Sequence, residues 1–241
     1  MWLYHAPYAL LDLATAPVFA APTQELAGQH WHLGIAERPL IEWAQQFLSP
    51  GQQLVDAGAN LGTWTVLFAR AGHLVTAFEA QPTCHAYLDL NVRLNQLQDR
   101  VATFASTLGS PEQAQAGKIT GYSLCPQGGG LTVHPEWLVQ LPGNPPGSPV
   151  TSQHPVRTLD EFPLSGVGLL KLDVEGNELE VLQGATSTLE HNGWPFIIFE
   201  AWPFPWYAPR RQLLRDHLQG FGYRVQPIAG CADMYLADRR G

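Results

Sequence analysis

Leu54-Val55-Asp56-Ala57-Gly58-Ala59-Asn60-Leu61-Gly62-Thr63, followed one helix length later by Val75-Thr76-Ala77-Phe78-Glu79, decides the fold of this chain. The first stretch reads as a short strand ending in a carboxylate, with a glycine turn that opens a helix. The second is another strand, again ending in an acid. In an open α/β sheet this spacing suits the ribose of an adenosine-containing cofactor. Glycines admit close backbone approach, and the acid about twenty residues on can bind the ribose hydroxyls.

Working outward, the same alternation of strand and helix continues. Apolar spacing predicts a helix over Leu61–Ala71, a strand over His73–Glu79, a helix opened by Pro82 and running to Asn95, and a strand over Val101–Ser106. Between Gly109 and Val156 the helical period is lost and Gly/Pro clusters gather. Short strands or a hairpin are expected around Lys118–Leu124 and Leu131–His134, with a flexible loop after them. Alternation then resumes with a strand over Val167–Asp173, one helix from Glu175 to about Leu189, and a strand over Phe196–Glu200. A helix near Pro209–Gln219 and strands over Tyr223–Gln226 and Ala232–Leu236 finish the chain. Asp56, Glu79, Asp173 and Glu200 all stand at strand ends, where ligands of such sheets bind.

The chain has 241 residues, 45% of them hydrophobic, enough for one well-buried domain. We expect a cap segment over residues 1–50, with a short amphipathic helix at Ile35–Phe47 beside the cofactor cleft, and one domain over 51–241. The net charge is −8, with Lys118 and Lys171 as the only lysines, which argues against nucleic acid or an anionic membrane as the principal partner. Cys84, Cys125 and Cys231 are far apart and read as free thiols of a reducing compartment. No basic leader or membrane-length apolar run is present, so a cytoplasmic, soluble protein is expected. No metal is expected either. His30 and His32 alternate along an extended segment and point to opposite faces, and no second acid follows Asp173 to join it and Glu200 as oxygen ligands.

A dinucleotide fingerprint needs Gly-x-Gly-x-x-Gly so that pyrophosphate can lie against the helix N-terminus. Here Asn60 replaces the middle glycine and Asp56 brings negative charge to the turn. That pattern favours S-adenosyl-L-methionine, which carries an ammonium and a sulfonium, over a dinucleotide. A dinucleotide-dependent oxidoreductase and a non-catalytic module of the same fold are the rival readings.

Three motifs then resemble the FkbM-type methyltransferases: Val55–Gly62, Ala77-Phe78-Glu79-Ala80, and Leu170-Lys171-Leu172-Asp173-Val174-Glu175-Gly176-Asn177-Glu178-Leu179-Glu180-Val181-Leu182-Gln183-Gly184-Ala185. Arg157-Thr158-Leu159-Asp160 extends the likeness ahead of the fourth strand. The resemblance implies a class I methyltransferase fold, Rossmann-like: a seven-stranded, mostly parallel sheet with helices on both faces and an antiparallel last strand. It also implies S-adenosyl-L-methionine as cofactor and, commonly, methylation of a hydroxyl oxygen. A small molecule, sugar or natural-product precursor is the expected acceptor.

On this reading Asp56, Gly58, Ala59, Asn60, Gly62 and Glu79 bind the cofactor, and Ser106 at the third strand's end lies near the adenine. Phe78 and Leu108 either flank that ring or belong to the core. Asp173, Glu175 and Glu200 serve the reacting end. Asp173 is the first choice of base, with orientation of the cofactor's ammonium as its other reading; Glu175 either joins the chemistry or caps the next helix. Lys171, inside an apolar strand, is expected to form an ion pair with Asp173 or a neighbouring acid. The aromatic run Trp202–Tyr207 is read as packed cover or acceptor platform.

Overall fold

The computed structural model describes residues 2–5, 8–11, 17–22, 37–123, 130–138, 140 and 149–239. In chain order the strands are β1 (Trp2–His5), β2 (Tyr8–Leu11), β3 (Phe19–Ala21), β4 (Gln53–Ala57), β5 (Leu74–Phe78), β6 (Val101–Phe104) and β7 (Thr107–Leu108). They continue with β8 (Lys118–Ser123), β9 (Leu131–Thr132), β10 (Val150–Arg157), β11 (Val167–Leu172), β12 (Phe196–Glu200), β13 (Arg224–Pro227) and β14 (Met234–Asp238). Seven of them form the main sheet, in the order β13-β14-β12-β11-β4-β5-β6. All neighbours are parallel except β14, which runs antiparallel to both β12 and β13. This is the expected class I methyltransferase sheet.

From β4 the chain moves outward to β5 and β6, then returns to place β11 on β4's other side. The order therefore reverses between β4 and β11, and that switch point is where an open α/β sheet leaves a crevice at its carboxyl edge. The strands are buried on both faces, since alternate residues point to opposite sides. Val55, Leu170 and Ile197 pack with Leu182, Leu214 and Leu218 from the helices Glu178–Gln183 and Ala208–Gly220. Leu54, Leu169 and Ile198 pack on the other face with Ile41, Phe68 and Leu88, from the helices Arg38–Ala44, Thr63–Arg70 and Pro82–Leu94. Each such fully buried side chain contributes about 1.5–3 kcal/mol of transfer free energy.

Two expectations are corrected. The single helix from Glu175 to Leu189 is two, Glu178–Gln183 and Thr186–His191. Glu175 and Gly176 both take left-handed φ values, 54° and 97°, so the first helix cannot begin before them. At the break, a Cβ on Gly184 would stand 2.2 Å from the Gly109 carbonyl oxygen. Asp160 then starts the second helix by accepting from the N–H groups of Thr188 and Ser187 at 2.7 and 3.1 Å. The strand expected to reach Ser106 stops at Phe104, leaving Ser106 beyond its end.

The Gly/Pro-rich region holds more structure than its composition suggests. The expected hairpin is present as β8 and β9, and it belongs to a second sheet in the order β7-β10-β8-β9. A helix over Pro111–Gln115 begins with a capping box between Ser110 and Gln113. The flexible loop, Cys125 and the His30/His32 pair lie outside the described residues.

The early part of the chain is held by polar clamps. Buried Asn91 accepts from Ala20 N–H at 2.6 Å and donates to the carbonyls of Ala20 and Leu61 at 3.1 and 2.7 Å. Asn95 grips Val18 in the same way, at 2.9 and 2.6 Å. Asn91→Ala strands three buried backbone groups and is expected to cost about 2–4 kcal/mol. Urea denaturation of wild type and variant measures the loss.

Candidate active site

The glycine turn is shaped by contact between strand ends. After β4, Gly58 turns at φ 78°, and its N–H and that of Ala59 donate to the Phe78 carbonyl at 3.0 and 2.9 Å. A Cβ on Gly58 would lie 1.7 Å from the Asp173 carbonyl oxygen, so only glycine lets β4 and β11 finish side by side. Asn60 sits in the left-handed region at φ 51°, which Asn tolerates, and its N–H donates to Glu79 Oε2 at 2.8 Å. Glu79 Oε1 accepts from the Gln81 N–H, also at 2.8 Å. The carboxylate at the end of β5 is thus immobilised by two backbone donors. Burial raises its pKa, and the two donors pull against that rise.

Beneath the turn lies a buried ion cluster. Lys171 Nζ donates to the Gly58 carbonyl at 2.8 Å and stands 3.3 Å from Asp56 Oδ1 and 3.4 Å from Asp173 Oδ2. Burial disfavours the ammonium, yet Asp173, Asp56 and Glu37 outweigh it and hold its pKa above the ordinary lysine value. Asp56 also accepts from Thr65 Oγ1 at 2.6 Å. The expected ion pair is therefore present, shared between two carboxylates.

Above this floor opens a cleft. Of the residues expected at the site, Gly58, Asn60, Glu79, Ser106, Asp173 and Glu175 line it, as do Phe78 and Leu108. Asp56 and Ala59 are buried below the wall, and Gly62, at φ 90°, caps the helix Thr63–Arg70 against Leu88. Glu200 does not line the cleft either. It stands at the end of β12 close enough to Asp173, Glu175, Glu178 and Asp233 that their charges, after burial itself, push its carboxyl well above the usual range.

Glu175 reaches the cleft through its left-handed backbone. Burial, then repulsion from Asp173, Glu178 and Glu79, raises its pKa to about 8. Glu178, raised to about 7 by burial, caps the turn: its Oε1 accepts from the N–H groups of Val174 and Gly176 at 3.0 and 3.2 Å. Tyr207 donates to its other oxygen at 3.4 Å. In the sequence the sole signal for Glu178 is a third acid in Asp-x-Glu-x-x-Glu, a pattern that does not mark a cap. Trp137 was missed entirely. It covers Gly176, where a Cβ would meet its ring at 2.2 Å, and sits 5.5–5.8 Å from Tyr207 and Trp202. Of the aromatic run, Trp202 and Tyr207 are buried cover, while Phe204 and Trp206 are half-buried and stack at 5.6 Å.

A model of the FkbM methyltransferase domain matches residues 56–225, from the buried acid of the turn to β13. The chain belongs to the FkbM methyltransferase family. Among solved structures, this FkbM chain is similar to an SAM-dependent O-methyltransferase from Thermotoga maritima, with a TM-score of 0.51 and 12% identity over 98% of this chain and 84% of that one. It is also similar to methyltransferase FkbM from Methylobacillus flagellatus KT, with a TM-score of 0.49 and 14% identity over 90% of this chain. The match spans 62% of that protein's length. At such identities the likeness is one of fold. No curated protein sequence matches the chain. Among the described residues, no helix is long and apolar enough to cross a membrane, and no cluster of three or more His, Cys, Asp or Glu side chains is arranged to hold a metal ion.

The raised carboxyls make stability fall with pH. Between about 4.5 and 8 the folded protein holds a proton on Glu175 that the unfolded chain releases, so stability is present below that window and lost across it. Glu175→Gln is expected to reduce the loss between pH 5 and pH 8 by about 3–4 kcal/mol. Urea midpoints at the two pH values measure it; an equal slope in both proteins contradicts the assignment.

Proposed function

We propose that this chain is an S-adenosyl-L-methionine-dependent methyltransferase that methylates a hydroxyl oxygen of a small molecule or sugar. One observation carries the choice of cofactor. Among the described residues, the cleft wall presents three acidic side chains, Glu79, Asp173 and Glu175, the last protonated at neutral pH, and no cationic side chain, since Lys171 is spent below it. Such a wall repels the pyrophosphate of a dinucleotide and suits a ligand bearing an ammonium and a sulfonium.

The residues fit that cofactor. Glu79 keeps lone pairs for ribose hydroxyls, Asp173 is the half-buried carboxylate for the ammonium, and Phe78, Leu108, Leu131 and Val133 supply apolar surface for the adenine beside Ser106. S-Adenosyl-L-methionine supplies an electrophilic methyl group on a positively charged sulfur. Glu175 is our choice to take the acceptor's proton, because a base with a pKa near the working pH is the most effective and Glu175 lies on the cleft wall. Asp173, engaged by Lys171, then serves orientation. The net charge of −8 fits a neutral small acceptor.

Calorimetry is the direct test of the cofactor. S-Adenosyl-L-methionine is expected to bind and NAD not to; Glu79→Ala should weaken the first at least about tenfold. Tight NAD binding without the sulfonium would falsify the reading.

Incubation with methyl-labelled cofactor and host-cell extract tests the chemistry. Label should pass to a small molecule, and Glu175→Gln should slow transfer by about 10²-fold or more while cofactor affinity stays within about threefold. Label confined to nucleic acid overturns the acceptor class, and bound cofactor that never turns over favours the non-catalytic module.

A further inference from the structure

The cleft's far wall is built by the second sheet. Its β10 pairs in parallel with β7 at Val156↔Thr107 and Arg157↔Leu108, and β8 pairs with β9 at Ser123↔Leu131; Thr107, Leu108 and Leu131 all line the cleft. One side chain of this sheet crosses to the opposite wall. His154 on β10 is 2% exposed, and its Nδ1 lies 2.9 Å from the carbonyl oxygen of Ala80, the cleft-lining residue that follows Glu79. A carbonyl can only accept, so Nδ1 carries the hydrogen. Nε2 meets Ser152 Oγ at 2.6 Å, which holds the ring from its other end. The ring also depends on Gly121 of β8, where a Cβ would stand 2.8 Å from His154 Cδ2 and 3.0 Å from Nε2.

We propose that His154 is a positioning residue for the cofactor: its Nδ1–H fixes the Ala80 carbonyl, and with it the loop that aims the Glu79 carboxylate into the cleft. Glu79 is held on one side by the Asn60 N–H and on the other by the Gln81 N–H, so Ala80 lies inside the span whose shape sets the carboxylate's direction. His154 is the link that ties this span to the second sheet. The two walls are thereby kept at a set separation. The inference rests on the adenosine-cofactor reading of the cleft.

The two amide replacements of histidine separate positioning from mere packing. Asn places an N–H near the former Nδ1, whereas Gln places one near Nε2. S-Adenosyl-L-homocysteine is titrated by calorimetry into wild type, His154→Asn and His154→Gln, and the thermal midpoint of each protein is recorded. The expected result is a Kd raised about tenfold in His154→Gln and within about threefold of wild type in His154→Asn, at similar midpoints. Equal affinities in the two variants overturn the proposal. Should His154→Gln fail to fold, Gly121→Ala keeps the imidazole and displaces it, and the same tenfold weakening is expected. Wild-type affinity in Gly121→Ala overturns the proposal as well. Failure of wild type to bind S-adenosyl-L-homocysteine overturns the cofactor reading itself, and this inference with it.

Discussion

The ammonium of Lys171, buried where the sheet reverses its order, is what the site depends on. It joins the carboxyl ends of β4 and β11 by touching Asp56, Asp173 and the Gly58 carbonyl together. Asp56, fully buried, resists desolvation and is repelled by half-buried Asp173; one shared cation between them offsets both effects. The glycine turn can then lie against the Asp173 backbone, at a distance no side chain allows. The same contact leaves Asp173 only half-buried, with its carboxylate anchored at one oxygen and facing the cleft.

Around this fixed floor the walls divide the work. The main sheet supplies the acids: Glu79 after β5, then Asp173 and Glu175 after β11. The second sheet supplies mostly apolar surface, through Leu108, Leu131 and Val133. Trp137 covers Gly176 and Tyr207 donates to Glu178, whose burial beneath them raises its affinity for protons. A cleft of opposed acidic and apolar walls suits a ligand with a charged end and a flat aromatic end.

Local patterns make much of this legible in the sequence. The strands β4, β5, β11 and β12 are apolar runs closed by acids, and the turn Gly58–Gly62 announces its own geometry. What escaped was non-local or depended on backbone hand. β7 has two residues and no period to detect, and its partner β10 carries Gln153, His154 and Pro155, a polar stretch that resembles loop. The left-handed pair Glu175 and Gly176 looked like a helix start because acids favour a helix N-terminus. Glu200 does stand at a strand end, but there it is buried beside Asp173, Glu175, Glu178 and Asp233 and does not reach the cleft wall. Capping by Glu178 is a three-dimensional fact that its place in a motif only hinted at.

The clasp between Lys171 and the Gly58 carbonyl spans 113 residues of chain. On a ribosome the first of these partners emerges long before the second, and β4, β5 and β6 with their helices can associate while Asp56 still lacks its cation. In that interval β4, the inner edge of the half-sheet, has β5 on one side and no strand on the other. Insertion of β11 beside β4 supplies the charge and the missing hydrogen-bonding partner in a single event. The strand that joins the two halves of the sheet thus also brings the cation that holds their carboxyl ends together.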